Sequence, residues 1–145
     1  MIELLRDASK LEAGSTCYFE FLPGIYQKEC WNKESVFIYY LHIQYIEPIL
    51  EKFIDGYDHY SFMSIDKTTW QDIVVELNNE KKILNKSNNF DEFTRKLSFS
   101  FRDIEDNFTK DFESSKADLM KLIDDLVLWI RDTLKHHNKI AILGM

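Results

Sequence analysis

Glycine and proline are scarce in this 145-residue sequence, with 4 Gly and 2 Pro in all. A many-stranded sandwich or barrel needs a turn about every 8–12 residues, usually built on Gly, Pro, Asn or Asp. The shortage therefore points to longer elements, helices foremost. Cysteine is equally scarce, Cys17 and Cys30 alone, so free thiols rather than a disulfide framework are expected in a reducing compartment. Positive charge is in deficit as well. The 25 acids outnumber the 18 lysines and arginines, for a net charge of −7, which opposes approach to phosphate backbones and anionic lipid. Neither a nucleic acid nor a membrane is an expected partner. No apolar run is long enough for a signal h-region or a membrane span, and acids appear within the first seven residues, so a cytoplasmic location is expected. G-x-S-x-G, H-E-x-x-H, a P-loop, a Rossmann glycine run and C-x-x-C are all missing. No catalytic residue, cofactor or metal site is expected.

What the chain does have is apolar and aromatic substance: 45% hydrophobic residues, with 11 Phe, 7 Tyr and 3 Trp. At this length that is enough for one core and one domain. Ile2, Leu4, Leu5, Ala8 and Leu11 have helical spacing and predict a short amphipathic N-terminal helix. Residues 16–22, rich in aromatic side chains, stop at Pro23-Gly24 and read as a strand. Residues 35–42 suit either a buried strand or a helix, because Pro48 fits a first helical turn but kinks an interior one. Ile46, Ile49, Leu50, Phe53 and Ile54 mark a helix closed by Gly56, and 61–65 reads as a strand. Asp66 can cap the next helix, with Trp70, Ile73, Val74, Leu77 and Leu84 on its apolar side and Gln71, Asp72, Glu76 and Glu80 opposite. Helical spacing then runs from Phe90 to Leu134. As one rod that stretch would be about 70 Å long, so a break is expected at 113–115, with Ser115 as cap. The apolar tail 140–143 suits a terminal strand. The class expected is α+β and helix-dominated: several long amphipathic helices with a small sheet of short strands, in a single domain.

Four histidines invite a search for chemistry. His136 and His137 are neighbours, so on a helix they diverge by about 100° and would not both face one metal; the favourable dipole at a helix C-terminus accounts for them. His42 lies in an apolar run and reads as a packed side chain. Asp58-His59 follows Gly56 and resembles a proton-transfer pair, although no nucleophile motif accompanies it. Asp124 and Asp125 lie among apolar residues, which places one of them near an apolar edge. The stripe Phe93, Phe101, Phe108, Phe112 reads as core. Trp31 and Trp70 are candidates for interface anchors, since Trp is enriched at binding hot spots, with core burial the default for each.

Ile46-Glu47-Pro48-Ile49-Leu50, Gly56-Tyr57-Asp58-His59-Tyr60 with the strand, Trp70 and Leu77 after it, and Ile140-Ala141-Ile142-Leu143-Gly144 behind Leu128-Trp129-Ile130 form a pattern covering about half the chain. It resembles small bacterial immunity proteins that accompany the toxic C-terminal domains of contact-dependent inhibition and related polymorphic toxin systems. The resemblance implies tight binding to a cognate toxin domain, with no catalysis of its own. A nuclease toxin with a basic groove would suit the chain's acidity. The expected contact residues are Tyr57, Asp58, His59, Asp66, Trp70, Asp72, Glu76, Asp103, Asp106 and Asp111, on the faces of 66–80 and 103–125. The other readings are a small enzyme or ligand-binding domain using Asp58 and His59, and a helical adaptor.

Overall fold

The computed structural model describes residues 2–11, 17–97, 108 and 110–144. Four strands, β1 (Tyr18–Pro23), β2 (Val36–Tyr39), β3 (Phe62–Asp66) and β4 (Lys139–Leu143), form one antiparallel sheet in the order β2-β1-β4-β3. The last strand thus lies inside the sheet, with Phe21 opposite Ile142 on one side and Met63 opposite it on the other. Four α-helices occur among the described residues: α1 (Glu47–Phe53), α2 (Lys67–Lys86), α3 (Phe90–Leu97) and α4 (Phe112–Leu134). The α+β, helix-dominated class is the observed one. Two of the helices are long, at 20 and 23 residues, while α1 and α3 have only 7 and 8.

Alternation along the strands divides the sheet into two faces. Phe19, Phe21, Val36, Ile38, Ile65, Ile140 and Ile142 face the helices and merge with Trp70, Ile73, Leu77, Leu119, Leu122, Leu126 and Ile130 into the main core. Trp70 locks α2 onto this face, its ring 6.1 Å from Phe21 and its indole N–H donating to the Ile140 carbonyl at 3.1 Å. The opposite face carries Tyr18, Glu20 and Leu22 on β1, Phe37 on β2, Phe62 on β3 and Leu143 on β4. No helix among the described residues is long and apolar enough to cross a membrane.

Several expectations are corrected. Residues 2–11 do not form a helix: Leu5 bridges Phe37 through hydrogen bonds of 2.9 and 2.8 Å, and only a 3₁₀ turn, Ala8–Lys10, follows. A helix this short is marginal alone, whereas pairing satisfies the open edge of β2. The 35–42 alternative resolves to strand, a 3₁₀ turn at His42–Tyr45 and then α1 with Pro48 in its first turn. The helix break expected at 113–115 falls earlier. Asp111 caps α4, accepting from the Ser114 N–H at 3.2 Å, so that Phe112 enters the helix and reaches Phe108 at 5.6 Å. His136 and His137 lie in a turn just beyond α4. Phe101, Asp103 and Asp106 lie outside the described residues.

The largest correction on a helix concerns Glu80. Its position continues the stripe Ile73, Leu77, Glu80, Leu84, and it is 1% exposed inside the core rather than on the polar side. Neither carboxylate oxygen has a hydrogen-bond partner among the described residues. Burial, and then the charge of Glu76, push its pKa well above the ordinary range.

Candidate functional site

The loop between β1 and β2, residues 24–35, folds back across the sheet face opposite the main core, which no helix among the described residues covers. A carboxylate at the centre of β1 holds it there. Glu20 is 1% exposed and accepts four hydrogen bonds: from the backbone N–H groups of Trp31 (2.6 Å) and Asn32 (3.0 Å), from the Asn32 amide (2.8 Å) and from the Ser35 hydroxyl (2.6 Å). Burying a carboxylate is costly unless donors replace its water, and here every donor comes from the loop it anchors. None of the four carries a charge. The arrangement holds Trp31 at φ +62°, a left-handed conformation costing an L-residue about 1–2 kcal/mol. Trp31 is 39% exposed and lies 5.8 Å from the Phe37 ring.

A second loop, 55–61, enters from the other edge. Glu47, at the start of α1, ties it down by accepting from the Tyr57 hydroxyl and pairing with His59 Nδ1, each at 2.6 Å. Burial foremost, and then the Glu47 carboxylate, raise the Tyr57 phenol far above its ordinary range. His59 packs edge-on against Phe19 and Tyr60, each ring 4.8 Å away. Asp58 does not orient His59. It closes the turn, accepting from the Tyr60 N–H and the Ser61 hydroxyl at 2.9 Å each, and these bonds lower its pKa. The carboxylate that pairs with His59 is therefore Glu47, from a different element, and not the adjacent Asp58.

Gly144 clamps this loop. Its N–H donates to the Ser61 carbonyl at 3.1 Å, and a Cβ there would overlap the His59 carbonyl oxygen and sit 2.8 Å from that of Ser61. The two loops and the ends of β3 and β4 then enclose a groove of about 470 Å³, lined by Tyr18, Glu20, Cys30, Trp31, Tyr60, Phe62, Leu143 and Gly144. Tyr60 is 75% exposed and Phe62 45%, and Tyr26 packs edge-on to Phe62 at 4.8 Å. Four of the seven large exposed hydrophobic side chains among the described residues belong to this one surface. Cys17 and Cys30 are not joined in a disulfide. Partial burial, and then the Glu20 charge, raise the Cys30 thiol above its usual range.

No family model, curated protein or solved structure matches this chain. Function must therefore be argued from the geometry and from the resemblance stated above.

The expected contact residues scatter. Tyr57, Asp58 and His59 build the loop that presents Tyr60 at the groove. Trp70 is corrected: at 0% exposure, with its N–H satisfied, it is core and touches no partner. Asp66 caps α2 by accepting from the Thr69 N–H at 2.9 Å, and Asp111 caps α4. Glu76 is engaged by Lys52 at 3.0 Å and Asn79 at 3.1 Å. Asp72 is exposed. Asp124 and Asp125, one of them expected near an apolar edge, are both salt-bridged, Asp124 to Lys81 at 2.7 Å and Asp125 to Lys121 at 2.6 Å. Much of the acidity on α2 and α4 is thus spent within the fold. The sequence reading missed Glu20, Tyr60 and Phe62 as site residues. The available signal was an acid set in the middle of an aromatic strand.

Proposed function

We propose that this chain is an immunity-type protein that binds and neutralises a toxin domain made by the same cell, with the aromatic groove at the centre of the contact. The toxin comes from the family resemblance. The binding half rests on one observation: Tyr26, Trp31, Tyr60 and Phe62, all exposed, gather on a sheet face that no helix among the described residues covers. Exposed aromatic clusters in monomers mark interaction sites, and Trp and Tyr dominate binding hot spots. The loops that carry these rings are pinned by Glu20 and Glu47, so little ordering entropy remains to be lost on docking. The net charge of −7 would speed encounter with a basic toxin, and exposed acids such as Asp72 serve that long-range role better than they serve as anchors.

The test is to express the C-terminal domain of a secreted protein encoded beside this chain and measure binding by calorimetry. Affinity on the order of nanomolar is expected. Tyr60→Ala and Phe62→Ala should each weaken it tenfold or more, and Asp72→Lys should slow association at low salt. Absence of binding, or aromatic variants that bind as tightly as the parent, would refute the proposal. A groove of about 470 Å³ also falls in the size range of small-molecule sites, and this volume favours ligand binding as a second reading.

A further inference from the structure

We infer that the groove receives an arginine side chain of the partner, held among the aromatic rings above the buried Glu20 charge. The inference rests on the protein-binding reading and specifies the chemistry that the partner must present.

Glu20 forms part of the groove wall, yet all four of its hydrogen-bond donors are neutral. No lysine, arginine or histidine among the described residues forms a salt bridge with it, although Lys28 and Lys33 lie on the same loop. A carboxylate bonded in this way is held in place while its negative charge stays uncompensated, and burial weakens the screening of its field. That field reaches the groove: the Glu20 charge contributes to raising the Cys30 thiol, second to burial, and, after burial and the neighbouring Cys30, the Tyr26 phenol. Four aromatic side chains, Tyr18, Trp31, Tyr60 and Phe62, line the groove beside Cys30, Leu143 and Gly144, and such rings attract cations through their quadrupoles. Aromatic walls and an unneutralised anion beneath them both select a positive guest.

The choice between the two cationic side chains follows from Glu20's own burial. At 1% exposure it acts chiefly through its field, so the guest must shed water without recovering a full set of direct hydrogen bonds. Guanidinium is planar, weakly hydrated and stacks on rings, whereas an ammonium is compact and strongly hydrated. Arginine fits better.

Titration of the full chain with Nα-acetyl-arginine amide, followed by NMR at the aromatic side chains, tests the inference. The neutral near-isostere Nα-acetyl-citrulline amide and Nα-acetyl-lysine amide serve as comparisons. Saturable shifts at Trp31, Tyr60 and Phe62 are expected with arginine, at least tenfold weaker binding with citrulline, and intermediate binding with lysine. Glu20→Gln should remove most of the preference over citrulline. Because that change also touches the loop anchor, Tyr60→Leu and Phe62→Leu provide the arm that leaves the Glu20 network intact, and each should cut arginine binding at least threefold. Equal binding of arginine and citrulline, lysine binding above arginine, no saturable shift, or unchanged arginine binding in both ring variants would each overturn the inference. Toxin binding that depends on the groove without any arginine preference would sink this inference alone. Arginine preference without toxin binding would sink the immunity reading alone.

Discussion

Replacing Glu80 with methionine should stabilise this protein, and by an amount that depends on pH. The carboxyl is buried with no hydrogen-bond partner among the described residues, and its folded pKa lies well above the ordinary 4.5. The sign follows from proton linkage. Below about pH 4.5 the group is protonated in both states and costs only its unpaired polar atoms. As pH rises, the unfolded chain releases the proton while the folded chain retains it, so stability falls until the folded pKa is passed. One proton's difference is worth about 1.4 kcal/mol per pH unit, and the penalty grows at up to that slope between the unfolded and folded pKa values. Glu80→Met removes it, together with roughly 1–3 kcal/mol of unsatisfied polar burial, and retains an unbranched side chain that fills irregular space. Urea denaturation of parent and variant between pH 4.5 and 7.5 reads the difference directly, because groups common to both chains cancel. The gap should widen as pH rises, at up to about 1.4 kcal/mol per pH unit. Glu80→Gln should abolish the pH dependence but recover less stability, since the amide remains unpaired. A constant gap across the range, or a methionine variant no more stable than the parent at pH 7.5, would refute a buried, titrating carboxyl.

His42 acts in the opposite sense. Burial lowers its pKa from 6.5 to about 4, so stability present above pH 6.5 is lost as pH falls towards 4. After discounting for partial solvent screening, the loss is on the order of 1 kcal/mol, and His42→Gln should flatten it in the same denaturation series. Gly144→Ala should cost about 2–4 kcal/mol in thermal or urea unfolding, because a Cβ meets the backbone carbonyls of His59 and Ser61 rather than a flexible side chain; a loss under about 0.5 kcal/mol would mean that the loop yields freely. Trp31→Asn relieves a left-handed tryptophan with a residue that tolerates φ > 0, so stability should change by no more than about 1 kcal/mol, while under the proposed function affinity for a toxin domain falls tenfold or more. A loss above about 3 kcal/mol would make Trp31 a core residue instead.

The regular elements were legible where a single periodicity ruled. α2, α4, β1, β3 and β4 follow from apolar spacing and from Asp66 as a cap. The N-terminal segment was misread because Ile2, Leu4 and Leu5 satisfy a helical pattern, while the open edge of β2, which decides the matter, is a tertiary feature. Glu80 was placed on the polar side by its charge, although its position in the 73, 77, 80, 84 series puts it inside. In the site, Gly56 and the aromatic run after it drew attention to Tyr57 and His59, and the loop they build reaches the groove. Glu20 stayed hidden because its partners Trp31, Asn32 and Ser35 lie 11, 12 and 15 positions downstream, a span with no local signature. His59 illustrates the same limit, since its acid is 12 positions away in Glu47 rather than adjacent in Asp58.

The features that shape the groove are poor choices for stability taken singly. A carboxylate at the centre of β1 needs four donors to be tolerated, and an apolar residue there would need none. A tryptophan at φ +62° carries strain that asparagine or glycine would avoid. Phe62 on an edge strand and Tyr60 in a turn expose rings that gain little from the fold. Their combination makes sense only together: the carboxylate fixes the strained turn, the turn sets the indole across from the other rings, and the rings stand over a charge that nothing in the loop neutralises. Selection for folding alone would erode each of these residues independently. A ligand that contacts them at once would hold all of them, and under the binding role proposed above the strain at Trp31 and the unneutralised charge at Glu20 become two parts of one surface.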